Sequence, residues 1–480
     1  MDTREFTRRN FLKWAGAGSV ALGASSFLGN VLARGQSATL NFFTVKDPFY
    51  FSLVPLIPEF EEATGIKVNL QGRSTMEIHA ELVSSFVAKQ KGLDLVSIDL
   101  SPLGQYADNA WIAPLTDYIE RDSEEVKPEE FIPAQMWSHG EWRGEIYSMP
   151  IASYCQPVYY RKDIFDELGL KPPPQQPEDW WTWSKYMEYV RRIDEEEGYH
   201  GSVVCGAAPR PIVHMFTQLS GSKGGRYFKQ FPEAPWDFTP MVNGQANLDA
   251  LKFYEELYQH SPDEAINYVW FDAGTSFATQ DIGMYYWWSA YAYLMRRAGY
   301  MAEEKSPNFG KIGYGVLPHE PGQDQLYTGG GWTVSIPRYS ENKEEAWEFI
   351  KWMSSTETQK KMGLSEPQLF SDFVRAPLYE DPELIEVYPW LPITGEMKHN
   401  LVSKKPFPPV PVAMTLEGLY GTELNNTLAG QKTAEQALDD LQKQFETVLT
   451  QNFYIPEYRA GKQYDDTLEN TKKLLERLSS

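Results

Sequence analysis

The chain has 480 residues, of which 42% are hydrophobic, and a formal net charge of −22. This length exceeds what one hydrophobic core normally serves, so we expect at least two globular domains. The negative charge argues against nucleic acid or an anionic membrane as a partner, because both require compensating positive charge.

The few cysteines and histidines limit the available chemistry. Cys155, Cys205 and the seven histidines show no metal-ligand spacing, and the sequence contains no dinucleotide or phosphate-binding motif. We therefore expect neither a metal site nor a cofactor. An oxidising compartment would permit a disulfide between the two cysteines, but the sequence leaves that pairing open.

Residues 1–33 have the pattern of an export signal. The stretch "TRRNFLK" (Thr7 to Lys13) contains paired arginines, and a modestly apolar run rich in Gly and Ala follows to Leu32. This pattern is typical of a twin-arginine signal peptide, with Val31-Leu32-Ala33 as a small-residue cleavage site. The alternative is a basic amphipathic surface helix. No cysteine lies near the cleavage site, so we expect a periplasmic protein without a lipid anchor.

Strand-like and helix-like runs alternate from Thr39 onward. A helix after the first strand should start late, because Pro55 and Pro58 are tolerated only in its first turn. Repeated strand–helix units favour a parallel sheet covered on both faces. The first predicted strands are "TLNFFTV" (39–45), "IKVNL" (66–70) and "LDLVSIDL" (93–100), with a helix over 78–88.

Later segments continue this α/β pattern. The helix through Trp183 places that indole on its buried face. Asn342 with Glu345, and Thr433 with Gln436, have the spacing of capping boxes at the starts of two helices. Further predicted strands are "GSVVCGA" (201–207), "DIGMYYWWSAY" (281–291) and "IGYGVLP" (312–318).

The order of these segments resembles the extracellular sugar-binding proteins that deliver ligands to ABC importers, in the maltose, trehalose and multiple-sugar group. Each matching motif is degenerate alone, but together they extend over nearly the whole mature chain. The matching segments are "LIPEFEEATGIKV" (56–68), "LDLVSIDLSPLGQYADNAWIAPL" (93–115), "GEIYSMPI" (144–151), "YYRKDIFDELGL" (159–170), "WWTWSKYMEYVRRI" (180–193), "GGWTVSIPRYSENKEEAWEFIKWMSSTETQKKM" (330–362) and "LAGQKTAEQALDDLQKQF" (428–445).

The resemblance implies an α/β periplasmic-binding-protein fold with two discontinuous lobes that close on a ligand by hinge motion. It also implies a non-enzymatic, monomeric receptor that delivers a carbohydrate or polyol to membrane permease subunits. The hinge would consist of segments near 151–157, 317–320 and after Met362. The implied lobes are 38–152 with 318–364 (N-terminal) and 153–317 with 365–480 (C-terminal).

The stretch "TGGGWTVSIP" (328–337) is the first candidate for ligand contact. A sugar has an apolar face of C–H groups, and an indole ring can stack on it. Gly330 and Gly331 would leave space beside the backbone, and Trp332 would supply the stacking face. The alternative is a tight turn with Trp332 in the core.

The stretch "YYWWSAY" (285–291) is the second candidate. Side chains alternate along a strand, so only some of these aromatic rings can face a cleft. The resemblance favours Trp287, Trp288 and Tyr291, with at least one of the three in the core.

Polar candidates lie where predicted strands end, because ligands of open α/β sheets gather at carboxyl ends. Asp99 follows one such strand, where it could bind ligand or cap the next helix. Further candidates are Phe43, Lys46 and Asp47 at the end of the first strand, Tyr154 on a crossing segment, and Arg210, which lies between two prolines beyond the strand ending at Ala207. Nearby His214 is a lesser candidate, because a lone histidine is more often structural.

Two other functions remain open from sequence. A glycoside hydrolase needs two carboxyls at a defined separation, and no motif here defines such a pair. A ferric-ion binder of the same superfamily could use adjacent tyrosines such as Tyr159 with Tyr160 or Tyr285 with Tyr286.

Overall fold

In a computed structural model, a five-stranded and a three-stranded β-sheet organise the described residues, and two further sheets have two strands each. The model describes residues 38–99, 101–230, 237–297, 304–323, 327–400, 410–451 and 468–479. The expected export signal at 1–33 lies outside these ranges. Within them, none of the helices has the length and apolar character needed to cross a membrane.

The strands of the described residues are β1 (Thr39–Val45), β2 (Lys67–Arg73), β3 (Leu95–Ile98), β4 (Glu141–Trp142), β5 (Glu145–Ile146), β6 (Met149–Tyr154), β7 (Val158–Arg161), β8 (Phe228–Gln230), β9 (Asp237–Pro240), β10 (Met284–Tyr286), β11 (Ile312–Gly315) and β12 (Gly330–Ser335).

The α-helices of the described residues are α1 (Pro48–Leu53), α2 (Ile57–Thr64), α3 (Ile78–Val87), α4 (Leu103–Asp108), α5 (Thr116–Arg121), α6 (Ser123–Val126), α7 (Pro133–Gln135), α8 (Lys162–Leu168), α9 (Trp183–Asp194), α10 (Pro211–Ser222), α11 (Gln245–Gln259), α12 (Trp270–Thr279), α13 (Lys343–Ser354), α14 (Thr356–Leu364), α15 (Pro382–Val387), α16 (Leu391–Asn400), α17 (Ala413–Leu428), α18 (Ala434–Gln451) and α19 (Leu468–Leu478). A 3₁₀ segment, Ser289–Met295, follows β10.

The larger sheet has the strand order β2-β1-β3-β12-β6. Strand β1 is parallel to β2 and β3, whereas β12 is antiparallel to both β3 and β6. The expected parallel pairing is therefore correct for β2, β1 and β3 but wrong for β12, which runs in the opposite direction. As a result, the carboxyl ends of β1, β3 and β6 and the amino end of β12 meet at one edge.

The smaller sheet has the order β10-β7-β11, with antiparallel pairs throughout. The chain passes from the larger to the smaller sheet between Tyr154 and Val158, and returns between Gly315 and Gly330. Helix α19 packs against the 128–140 region. The expected lobe boundaries, 38–152 with 318–364 and 153–317 with 365–480, stay predictions.

Several local predictions can be compared with the structure. Trp183 is fully buried, as its helical position predicts. Thr433 and Gln436 form the expected reciprocal capping box. Asn342 does not cap α13, because its amide donates to Asp94 Oδ1 at 3.1 Å instead. Residues 201–207 form no strand, because their N–H groups donate to loop carbonyls such as His260 O.

The glycines at the start of β12 accommodate protein atoms. A Cβ on Gly330 would lie 2.6 Å from the ring of Trp288. Gly331 has φ 127°, and a Cβ there would lie 2.0 Å from the Ala152 carbonyl oxygen. The β12–β6 register also shifts just after Trp332, a bulge of the kind that redirects a side chain. The glycines thus bring β12, β6 and Trp288 into close contact.

We expect Gly331→Ala to lower the free energy of unfolding by at least about 2 kcal/mol, because it adds both backbone strain and a clash. Denaturant unfolding followed by tryptophan fluorescence measures this change. Gly418→Ala is the control, since Gly418 lies inside α17 with open space around it. That substitution should raise stability by up to about 1 kcal/mol. Equal effects of the two substitutions would contradict the steric explanation.

Candidate ligand-binding site

A cavity with an open volume of ≈ 520 Å³ lies at the edge of the larger sheet. This volume includes space that is open to solvent. The cavity is lined by Asp47, Thr75, Asp99, Ser101, Tyr154, Arg210, His214, Trp270, Trp288, Tyr291, Gly330, Gly331 and Trp332.

One wall of the cavity comes from the larger sheet. Asp47 follows β1, Asp99 follows β3, Tyr154 ends β6, and Gly330 to Trp332 begin β12. Their convergence follows from the strand directions, which bring these ends to one edge.

The opposite wall comes from elements around the smaller sheet. Arg210 and His214 lie at the start of α10, and Trp270 is the first residue of α12. Trp288 and Tyr291 follow β10. The cavity therefore lies between two structural units, each built on its own sheet.

Asp47 links three strands of the larger sheet. Its Oδ2 accepts hydrogen bonds from the Tyr154 hydroxyl and from the Trp332 indole N–H, both at 2.8 Å. Trp332 is 5% exposed, and this bond holds its ring in a defined orientation at the cavity wall.

The environment of Asp47 disfavours its negative charge. Burial raises the pKa of this carboxyl from 3.8 to about 6, although the bonds from Tyr154 and Trp332 oppose the shift. The nearby Asp372 raises it further. No described lysine or arginine forms an ion pair with Asp47, so only neutral donors stabilise the carboxylate.

Arg210 connects the two walls. Its guanidinium pairs with Asp99 on the larger-sheet side and donates to Glu417 Oε1 at 2.9 Å on α17. Burial would raise the pKa of Glu417, but Arg210 and His214 lower it to about 2. The adjacent carboxylates also raise the pKa of Arg210. This cluster is therefore charged and fixed in orientation.

His214 is held in one tautomer. The Trp270 indole N–H, which can only donate, lies 3.0 Å from His214 Nδ1. Nδ1 must therefore accept, and the proton lies on Nε2, which donates to Glu417 Oε1 at 3.0 Å. The imidazole thus orients Glu417 and, through it, Arg210.

Aromatic rings form much of the remaining surface. His214 packs edge-on against Trp288, with 5.8 Å between ring centroids, and tilts against Trp270 at 5.5 Å. Together with Trp332 and Tyr291, these rings surround the polar groups. Such a cavity can stack apolar ligand faces while offering carboxylate and guanidinium hydrogen bonds at the rim.

Most of the predicted site residues line the cavity, although their role in binding stays a prediction. Ser101, Thr75 and Trp270 were not predicted, and His214 was only a lesser candidate. The cavity-lining residues that were predicted are Asp47, Asp99, Tyr154, Arg210, Trp288, Tyr291, Gly330, Gly331 and Trp332.

Three predicted residues do not line the cavity. Trp287 is fully buried and donates its indole N–H to the Trp270 carbonyl at 2.9 Å. Phe43 lies beneath Arg73, whose guanidinium carbon is 4.5 Å from the ring centroid. Lys46 extends over the backbone of Gly72 with its side chain exposed. Each therefore has a packing or surface role.

The tyrosine pairs considered for iron lie elsewhere. Tyr159, Tyr285 and Tyr286 are fully buried between strands of the smaller sheet, and Tyr160 is nearly so. Burial raises the pKa values of Tyr159, Tyr285 and Tyr286 well above normal. These phenols are poorly suited to phenolate ligation, and none lines the cavity. Cys155 and Cys205 are free thiols, so the possible disulfide is absent.

The fold and the inter-lobe cavity define a two-lobed solute-binding protein. The family model for bacterial extracellular solute-binding proteins matches residues 50–360. The chain belongs to that family.

Known relatives cover most of the chain. A solute-binding protein of Agrobacterium radiobacter, solved in complex with ribitol, is 27% identical, with a TM-score of 0.75, and the match covers 86% of this chain and 98% of that one. A mannitol-binding protein of Pseudomonas aeruginosa is 23% identical over 85% of this chain and 92% of its own. A probable amino-acid ABC transporter periplasmic-binding protein of Sinorhizobium fredii is 22% identical over 83% and 86%. The expected two-lobed α/β fold is confirmed.

The pKa of Asp47 predicts a pH-dependent stability. Because the folded-state pKa of about 6 lies above the ordinary 3.8, the folded protein holds the proton more tightly than the unfolded chain. This stabilisation is complete below about pH 4 and is lost as the pH rises through about 6. Relative to Asp47→Asn, wild-type stability should fall by up to about 3 kcal/mol over this range.

Denaturant unfolding of the ligand-free proteins at several pH values measures the difference. Asp117→Asn is the matched control, since Asp117 is exposed on α5, and its difference from wild type should not vary in this window. A pH-independent difference for Asp47→Asn would show that the Asp47 carboxyl titrates normally.

Proposed function

We propose that this protein binds a carbohydrate or polyol between its lobes and delivers it to the membrane subunits of an ABC importer. The observation that supports this most directly is the Trp332 indole, fixed by Asp47 at the wall of the inter-lobe cavity. An oriented indole beside carboxylates suits a ligand with an apolar C–H face and a rim of hydroxyls.

The rest of the cavity supports the same ligand chemistry. Carboxylates accept hydrogen bonds from hydroxyls, and a guanidinium can donate to vicinal oxygens. Asp47 and Asp99 stand on one wall and Arg210 on the other. The ligands named for the ribitol-bound and mannitol-binding relatives agree with this chemistry. A hydroxyl-rich ligand therefore accounts for both the aromatic and the polar lining.

The same family membership supports a non-catalytic role. We propose that the chain acts as a monomeric receptor, exported by the twin-arginine route to the periplasm through its 1–33 segment. The lobe boundaries would follow the expected crossing segments, except that α19 packs with the N-terminal lobe.

Trp332→Ala should weaken sugar or polyol binding by at least about 100-fold, because it removes both the stacking face and a donor to Asp47. A thermal-shift screen of monosaccharides, oligosaccharides and polyols identifies a ligand for wild type, and calorimetry then compares the variants. Trp180→Ala is the control, since Trp180 does not line the cavity and its ring instead contacts the Lys171 ammonium. Unchanged affinity in a folded Trp332→Ala variant would refute the site assignment.

The ion pair between Asp99 and Arg210 supports a hinge-closure mechanism. It joins the two walls of the cavity, whereas the Arg210 bond to Glu417 remains within one side. Closure would keep this pair, and opening would expose both charges to water. The pair would therefore contribute to the balance between open and closed forms.

Asp99→Asn should shift the ligand-free protein toward the open form, because it removes one charge of the inter-lobe pair. Small-angle X-ray scattering should then give a larger radius of gyration than for wild type. The control is Asp163→Asn. It disrupts the Arg161–Asp163 ion pair, 2.8 Å apart, which lies entirely on the smaller-sheet side. Identical radii for wild type and Asp99→Asn would contradict a contribution of this pair to closure.

A further inference from the structure

The charges around the cavity do not balance. Asp47, Asp99 and Glu417 are carboxylates, and among the described residues one guanidinium, that of Arg210, pairs with two of them, Asp99 and Glu417. Three negative groups against one positive group leave an excess of two negative charges. Buried charges are normally paired, because moving an ionised group out of water without a counter-charge costs free energy.

Asp47 has the least compensation. It is 6% exposed, and its described donors are the neutral groups of Tyr154 and Trp332. Its pKa, raised to about 6 mainly by burial, reflects the same lack of a nearby cation. A positive group entering the cavity would relieve this cost.

Neighbouring acceptors also have unused hydrogen-bonding capacity. Asp99 uses Oδ2 for Arg210, while its buried Oδ1 has no hydrogen-bond partner among the described residues. The Ser101 side chain is 4% exposed, and its Oγ likewise has no partner there. Both residues line the cavity. Unused buried oxygens at a site favour a ligand rich in donors.

His214 is engaged with Trp270 and Glu417. The Trp270 indole N–H donates to its Nδ1 at 3.0 Å, and its Nε2 lies 3.0 Å from Glu417 Oε1. Trp270, Trp288 and Trp332 add π faces around the cavity, and such faces attract cations. Charge, unused acceptors and aromatic walls all favour the same group, an ammonium, which has three donors and no acceptor.

We propose that the ligand is a polyhydroxylated compound that carries a protonated amine, that is, an amino polyol or amino sugar. This inference rests on the proposed function and adds a charge to its ligand class. The ammonium binds among Asp47, Asp99 and Ser101, and the hydroxyl chain lies along the indoles.

Matched ligand pairs test this charge directly. Calorimetry at pH 7 and low salt compares D-glucitol with 1-amino-1-deoxy-D-glucitol, and D-glucose with D-glucosamine. N-acetyl-D-glucosamine is a neutral control that keeps the nitrogen. Neutral oligosaccharides and their amino counterparts extend the series to longer ligands. We expect the amine of at least one pair to bind at least tenfold tighter than its neutral partner.

The outcomes separate this inference from the proposed function. Measurable binding of neutral members with equal or weaker binding of every amine overturns the inference and supports the proposed function. Absence of binding by all ligands of the series, neutral and amino, overturns both. Preference for an amine that disappears on N-acetylation supports both.

Variants locate the preference in the cavity. Asp47→Asn removes the charge but keeps an oxygen acceptor for Tyr154 and Trp332, so the amine-to-neutral affinity ratio should fall toward one. Asp117→Asn makes the same change at an exposed site and should keep the wild-type ratio. Asp99→Asn provides an independent second variant if Asp47→Asn does not fold. Wild-type ratios in both cavity variants overturn the assignment of the amine to these carboxylates.

Discussion

The site depends on one buried carboxylate, Asp47, which receives hydrogen bonds from Tyr154 and Trp332. These residues lie at the ends of strands that are not all neighbours, so the carboxylate ties the sheet edge together across the intervening β3. The same carboxylate holds the buried Trp332 ring in one orientation. The arrangement buries a carboxylate without a paired cation, which costs stability. Proteins retain such costs mainly at functional sites.

The second constraint is the polar chain from Trp270 through His214 and Glu417 to Arg210. Each member limits the next: the indole sets the histidine tautomer, and the histidine and guanidinium share Glu417 Oε1. The chain ends at Asp99 on the other wall. One lobe therefore presents a preorganised cation, and the other presents the carboxylate that meets it. Preorganisation lowers the ordering cost of binding, because these side chains are already held in place.

The sequence predicts part of this site for a clear physical reason. Asp47 and Asp99 follow predicted strands, and the carboxyl ends of such strands meet at one sheet edge. Trp270 could not be found this way, because it begins a helix and no strand end marks it. Trp287 and Trp288 show another limit: alternation predicts that they face opposite ways but not which one faces the core. The reversal of β12 was also hidden, since parallel and antiparallel pairing depend on distant connections.

The glycines before Trp332 line the cavity, as the sequence predicted, but for a different steric reason. Their missing side chains suggested space for a ligand, yet the space beside Gly330 is occupied by the Trp288 ring, and Gly331 faces the Ala152 carbonyl. Both glycines still line the cavity, because they let an aromatic ring from the smaller-sheet side approach the end of β12. In the proposed site, the indoles that these glycines admit define the shape of the cavity wall, and the carboxylates at the neighbouring strand ends define its polarity. Because different residues provide the two properties, substitutions can change them independently within one fold.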